Sequence, residues 1–362
     1  MDVRDFDFDL PPDLIAQEPP AARGGARLLH LDRASGSIAH SRVSALPGLL
    51  RAGDLLVVNN SRVFPARLLG RRDPSGGAVE CLLVKRETDP EVRPGSDPDP
   101  TAVESERWEA LVHPGQKLKP GARVVFEGAK TIHGEILARR HFGRRVVRLW
   151  TADGSPLDEA VDAIGHMPLP PYIRRDDRDD DRDRYQTVFA QARGSIAAPT
   201  AGLHFTPQLT AALVDRGVEI AEITLHVGYG TFQPIRADRV EDHRLEPERY
   251  AIGAPAADAI NRARAERRRV VAVGTTTTRT LEAAARGSGA VVAGQGETDL
   301  FLYPGARFAV VGGLLTNFHL PQSSLLMLVS AFAGRDRVRS AYDAAIAERY
   351  RFYSYGDAML IL

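Results

Sequence analysis

Cysteine is almost absent from the 362-residue chain, with Cys81 the only one. That excludes an internal disulfide and any cysteine-rich zinc site. Lysine is nearly as scarce: Lys85, Lys117, Lys119 and Lys130 are the only four among 47 basic residues. A coding bias toward arginine explains this skew, and no function follows from it. An excess of either charge is also lacking, because 47 acidic residues balance the 47 basic ones. With no overall pull toward nucleic acid, a polyanion site has to be a local patch. No run approaches the roughly 18 uninterrupted apolar residues of a membrane span. The opening "MDVRDFDFDLPPDLIAQEPP" is acidic and proline-broken, unlike a secretory signal. A cytoplasmic protein with no membrane association is the expectation.

Common catalytic signatures are missing too. Without a G-x-S-x-G elbow, an α/β-hydrolase triad is disfavoured. "GTTTTRT" lacks the Gly-Lys-Ser/Thr of a phosphate loop, and "VGYGTF" lacks the third glycine and following helix of a dinucleotide fingerprint. Neither H-x-x-x-H nor H-E-x-x-H occurs, so the spacing of His204, His226, His243 and His319 gives no support to a metal site.

What is present falls into two patterns. Leu55 to Val58, in "GDLLVVNNSRVFPARLLG", form a continuous apolar run, as a strand buried on both faces requires. From about Ala66 to Trp150 come "ARLLGRR", "GAVECLLVKR", "RWEALVHP", "ARVVFEG", "TIHGEILARR" and "RRVVRLW". These short alternating segments, several separated by tight turns, predict a small antiparallel barrel. "ETDPEVRPGSDPDPTAVESE", between the second and third, reads as a mobile hairpin tip. "DDRDDDRDR" (Asp176 to Arg184) reads as a solvated loop. Beyond it helix and strand patterns alternate, from "LTAALVDRGV" and "EIAEITLHV" to "SSLLMLVSAFAG" and "VRSAYDAAIAERY". The expected fold class is α/β, with a large mixed α/β domain (1–65 plus 151–362) interrupted by an inserted small antiparallel β-barrel domain (66–150).

In open α/β sheets ligands gather beyond the carboxyl ends of strands, and four such ends are unusually polar or glycine-rich. "LLVVNN" ends in Asn59 and Asn60, and "ITLHVGYGTF" carries His226, Gly228 and Gly230. "VVAVGTTTTRT" carries Gly274, four threonines and Arg279; "GGLLTNFHLP" carries Thr316, Asn317 and His319. Alone, each has a plain reading: threonines capping a helix, a core histidine, a glycine turn. Together they imply convergence on a pocket.

At these segments the sequence is recognisable. "FDFDLPPDLIAQEP", "GDLLVVNNSRVFPARLLG", "YQTVFA…GSIAAPTAGLHFT", "ITLHVGYGTFQPI" with downstream "HRLEPERY", "VVAVGTTTTRTLE", "GGLLTNFHLPQSSLLMLVSAFAG" and "YRFYSYGDAMLIL" follow one another in order. The set closely resembles the S-adenosylmethionine:tRNA ribosyltransferase-isomerase family of queuosine biosynthesis, over almost the whole chain. Only 87–107 and 176–184 look longer and more charged than the pattern needs. The resemblance implies transfer of the ribosyl part of S-adenosylmethionine to the amine of 7-aminomethyl-7-deazaguanine at the tRNA wobble position. Adenine and methionine leave, and the product is epoxyqueuosine-tRNA. It further implies no metal or bound cofactor, S-adenosylmethionine being consumed as a substrate, an α/β domain with an inserted barrel, and a monomer.

That chemistry needs a base near the carbon beside the sulfonium, and an acid or donors for the departing adenine. Histidine suits both tasks. His204 and His226 lead the acid–base candidates, His319 comes third, and His243 is weaker. His204 stands just before a helix that Thr206 caps and Pro207 opens, where the helix start favours the neutral imidazole. Asn59, Asn60, Thr275, Thr276 and Asn317 are expected to orient adenine and ribose hydroxyls. Arg62 and Arg279 are candidates for the methionine carboxylate or a phosphate. Thr200, Gly202, Gly228 and Gly230 complete the substrate-binding set, the small residues of "GSIAAPTAGLHFT" letting backbone approach a flat ligand. "RRHFGRR" (Arg139 to Arg145) and "KLKPGAR" (Lys117 to Arg123) are candidate tRNA-facing turns. A non-catalytic RNA-binding protein, a histidine-based metal hydrolase and a methyltransferase are the rival readings.

Overall fold

The computed structural model describes residues 1–87, 105–232 and 235–362. Most of the acidic, proline-rich segment expected as a hairpin tip, 88–104, lies outside them. The chain forms two compact units. The larger comprises Met1–Arg62, Pro170–Asp176 and Asp183–Leu362; the smaller comprises Val63–Leu169 and Asp177–Arg182.

The larger unit is built on a nine-stranded sheet. Its order is Gly294–Thr298, Glu248–Ile252, Glu219–Leu225, Leu55–Asn59, Val270–Val273, Gly313–Asn317, Ala358–Ile361, Arg27–Leu31, Ile38–Arg42. The four strands from Glu219–Leu225 to Gly313–Asn317 run parallel, and the flanking pairs add antiparallel neighbours. Because successive strand residues point to opposite faces, the apolar run at 55–58 divides between two cores. Leu55 and Val57 pack with Val270, Ala272, Ile260, Leu281 and Val329 on one face. Leu56 and Val58 pack with Val271, Val273, Phe205, Leu209 and Leu213 on the other. Full burial of one such aliphatic side chain stabilises by about 1.5–3 kcal/mol.

The smaller unit contains a closed antiparallel barrel of six strands, in the order Arg144–Thr151, Glu106–His113, Ala78–Glu87, Arg67–Asp73, Arg123–Phe126, Ile132–Arg139. Each corresponds to one of the six alternating segments. Leu68, Leu83, Phe126, Ile136 and Val147 fill its interior. Cys81 is buried, and burial pushes its thiol up to about 12, which makes it an inert core group. The helix Leu157–Ile164 packs on Ile132–Arg139 and Arg144–Thr151.

Two expectations about charge are corrected here. Part of "DDRDDDRDR" is fastened to the smaller unit. Asp177 accepts from the Met167 N–H at 2.8 Å and lies 2.9 Å from His166 Nδ1. Arg182 donates to the carbonyls of Asp162 and Gly165 at 3.0 and 2.6 Å, satisfying groups at the end of Leu157–Ile164. Asp181 is 1 % exposed and accepts from the Arg178 N–H. Arg145, expected in an exposed turn, is also buried. Its guanidinium donates to the carbonyls of Leu118, Gly143, Arg144 and Gly115. Arg144 pairs with Glu109 at 2.8 Å. Lys117, Lys119, Arg123 and Arg139 remain exposed.

Candidate active site

In the larger unit a cavity of about 450 Å3 opens at the carboxyl ends of Val270–Val273 and Gly313–Asn317. This is the end at which α/β sheets bind ligands, and the volume suits a small molecule. Ala197–Ala201 line it, as do Gly274–Thr276 and Thr316–His319, with Tyr172 and Tyr353 among the aromatic residues. Among the described residues no Asp, Glu, Lys or Arg lines it.

One part of the lining is the start of the helix Thr275–Ala284. Gly274, at φ 90°, turns the chain out of the strand and leaves the helix without a side-chain cap. The threonines are therefore not caps. Thr277, Thr278 and Thr280 bond back to the carbonyls of Val273, Gly274 and Thr276 at 2.7, 3.1 and 2.9 Å. The Thr276 hydroxyl is buried and has no partner among the described residues.

Asn317 and His319 follow the neighbouring strand. Asn317 Nδ2 donates to the Tyr353 carbonyl at 3.0 Å and reaches His204 Nε2 at 3.2 Å. His319 Nε2 meets the Thr316 hydroxyl at 2.9 Å, and its backbone N–H donates to the Tyr342 hydroxyl. Burial lowers the His319 pKa to about 3, so the ring is neutral at physiological pH.

Tyr353 has φ 74°, a left-handed conformation that costs a non-glycine residue about 1–2 kcal/mol. Its N–H donates to Phe318 O, and its carbonyl accepts from Gly356 N and from Asn317. Its ring lies 4.2 Å from that of Tyr172, whose hydroxyl bonds Ser354. The Tyr353 hydroxyl is buried without a partner among the described residues.

The model of the family described as queuosine biosynthesis protein matches residues 3–361. The chain belongs to that queuosine biosynthesis family. A relative from Desulfitobacterium hafniense is 49% identical over 362 residues, covering 100% of both chains. One from Geobacter metallireducens is 50% identical over 364 residues, again covering 100% of both. Both are named S-adenosylmethionine:tRNA ribosyltransferase-isomerase. The crystal structure of an S-adenosylmethionine tRNA ribosyltransferase from Thermotoga maritima is 36% identical, with a TM-score of 0.54 over 99% of this chain and 100% of that one.

Within this queuosine-family chain the expected site residues divide. Thr200, Thr275, Thr276, Asn317 and His319 line the cavity. His204 does not line it. It is buried behind Asn317, and burial lowers its pKa to about 4. Thr206 and Pro207 do open the next helix, with Thr206 accepting from Leu209 N, but desolvation is the leading cause of the neutral imidazole. His226 lies outside the lining and over Gly194, where a Cβ would come within 2.9 Å of the ring. Burial, then Arg249, lowers its pKa. His243 packs edge-on against Phe301. Among the described residues no three His, Cys, Asp or Glu side chains converge as metal ligands.

The other polar strand end closes on itself. Asn59 donates to Leu225 O and accepts from the N–H groups of Ser61 and Leu225, all at 3.0 Å. Asn60 bonds Glu222 and Thr224. Arg62 is exposed. Arg279 is buried against Glu248 at 2.6 Å, and Glu248 also accepts from the Gly228 N–H at 2.9 Å. Gly230 lies beside Glu246, while Gly202 lies against Thr187, which a Cβ would meet at 2.8 Å. In "GSIAAPTAGLHFT" residues Ala197 to Ala201 thus face the cavity, while Gly194 and Gly202 admit neighbouring side chains. Tyr172, Tyr353 and Glu248 were missed by sequence reasoning. Tyr353 and Glu248 stand inside "YRFYSYGDAMLIL" and "HRLEPERY", but a left-handed φ and a buried ion pair leave no mark on residue order.

Proposed function

We propose that the chain transfers and isomerises the ribosyl moiety of S-adenosylmethionine onto 7-aminomethyl-7-deazaguanine at the tRNA wobble position, giving epoxyqueuosine-tRNA with release of adenine and methionine. Full-length similarity to ribosyltransferase-isomerases supports the reaction. The cavity carries it to particular residues, because segments of five of the seven motifs, remote in sequence, meet around one neutral space.

The cavity takes the adenosyl part, with Ala197, Ala198 and Ala201 offering close approach to a flat ring. The sulfonium acidifies the ribose 5′ carbon, and a neutral imidazole has to accept the proton. His319 is that base: the Thr316 hydroxyl, 2.9 Å from Nε2, can accept from Nε2–H, and in that tautomer Nδ1 takes the proton. Burial makes the imidazolium costly, so the proton passes on to the departing adenine. The N–H groups at the start of Thr275–Ala284 stabilise negative charge developing there.

No resident metal or cofactor enters the reaction as we propose it. S-adenosylmethionine is consumed as a substrate, and tRNA is the second. A tRNA substrate supports a cytoplasmic location. The monomer belongs to the same reading and rests on the family resemblance alone.

The test is incubation with S-adenosylmethionine and tRNA bearing the modified guanine. Adenine and methionine should appear without S-adenosylhomocysteine. S-adenosylhomocysteine would make the protein a methyltransferase, and the absence of every product would leave an RNA-binding protein.

A further inference from the structure

We propose that Asn317 selects the ribose of S-adenosylmethionine by accepting a hydrogen bond from one of its hydroxyls at Oδ1, and that His204 is a positioning residue that holds the Asn317 amide for this task. The inference rests on the reading above that S-adenosylmethionine is the substrate, and adds the atom that recognises it.

The orientation of the amide follows from its neighbours. A backbone carbonyl can only accept, so the amide nitrogen of Asn317 must be the atom that faces Tyr353 O at 3.0 Å. The same nitrogen meets His204 Nε2 at 3.2 Å, so that ring nitrogen is the acceptor and the imidazole proton sits on Nδ1. Desolvation keeps His204 in this neutral form. An amide nitrogen has two hydrogens, and both are now engaged. Oδ1 is left as a pure acceptor, buried and without a partner among the described residues, in a cavity-lining residue that is 2 % exposed. Buried polar atoms of this kind are uncommon, and leaving them unpaired is costly.

The geometry also defines the donor. Asparagine reads a purine edge with its oxygen and nitrogen together, and here the nitrogen is occupied. An ammonium group calls for a carboxylate, and none lines the cavity among the described residues. Two neutral donors of S-adenosylmethionine remain, a ribose hydroxyl and the adenine 6-amino group, and the neighbouring hydroxyls favour the ribose. The buried hydroxyls of Thr276 and Tyr353, also unpartnered among the described residues and in the lining, can each donate and accept, as a diol requires.

The experiment measures adenine release from isotopically labelled S-adenosylmethionine with modified tRNA present. Unlabelled S-adenosylmethionine and its 2′-deoxy and 3′-deoxy analogues serve as competitors. In the wild type one deoxy analogue should compete about tenfold more weakly than the parent, the size of one buried hydrogen bond. Asn317→Ala should bind parent and analogue about equally. His204→Ala should lose most of the discrimination, whereas His204→Gln, whose amide oxygen can accept from Asn317, should keep it. Equal competition by both analogues in the wild type, or discrimination that survives in Asn317→Ala, would overturn the ribose assignment. Full discrimination in His204→Ala, or none in a folded His204→Gln, would overturn the positioning role. A wild type that releases no adenine would sink the reaction itself, a separate failure.

Discussion

Arg279 and Glu248 form an ion pair at 2.6 Å, with both side chains 6 % exposed. Arg279 also donates to Leu300 O at 2.9 Å, and Glu248 accepts from Gly228 N. The pair therefore ties the helix Thr275–Ala284 to the chain just after His226. Arg279→Met should lower stability by about 3–5 kcal/mol, because it breaks a buried ion pair and leaves Glu248 in place. Chemical denaturation measures this. A loss below about 1 kcal/mol would show that the pair is not needed.

His319→Ala should reduce kcat for adenine release by about 10²–10⁴-fold, the usual size of a positioned proton acceptor. His226→Ala should change it much less, since His226 lies outside the cavity lining. Single-turnover assays with modified tRNA would distinguish the two. Equal losses would remove His319 from its special place.

Acid should destabilise the protein through two buried imidazoles. Burial lowers His204 to about 4 and His319 to about 3, against an ordinary value of 6.5. Below 6.5 the unfolded chain takes up protons that the folded chain does not. Stability is thus present above pH 6.5 and falls as pH drops toward 4 and 3. Each histidine contributes a slope of up to about 1.4 kcal/mol per pH unit. Melting temperatures between pH 7 and 4.5 should show a shallower decline in His204→Gln than in the wild type. An unchanged slope would count against a buried neutral His204.

Arg145→Ala should weaken the barrel, because Arg145 is buried and bonds four carbonyls. Any loss of tRNA binding in an Arg144→Ala, Arg145→Ala protein would therefore report damage to the fold. Lys117, Lys119 and Arg139 are exposed and provide the cleaner test. Replacing them with Ala should leave the melting temperature unchanged. The salt dependence of tRNA binding should flatten by roughly 0.7–0.9 for each phosphate no longer neutralised. A slope equal to that of the wild type would clear this face of a role.

The sequence was most legible where burial imposes a period. Six alternating segments became six barrel strands, and the apolar run at 55–58 became a strand buried on both faces. Gly294–Thr298, "GQGET", escaped because an edge strand that is mostly exposed carries no apolar alternation. Site residues were legible by type but not by direction. Asn59 and Asn317 look alike as polar strand ends, yet one fastens neighbouring backbone and the other lines the cavity. His204 looked like the base because a helix starts just after it, but its apolar setting buries it behind Asn317.

The strand Ala358–Ile361 lies between Gly313–Asn317 and Arg27–Leu31, and the Arg27 N–H donates to Asp357 across 330 positions of chain. The hairpin Arg27–Arg42 has short-range contacts and can form early, but among the described residues it joins the sheet only through this distant strand. Closing so long a loop costs entropy before any pairing repays it, which puts completion of the sheet late in folding. Tyr353 and Ser354, which line the cavity, lie shortly before the closing strand. A chain that stalls with its sheet open therefore has no finished substrate site, and ligand binding reports that the whole topology has closed.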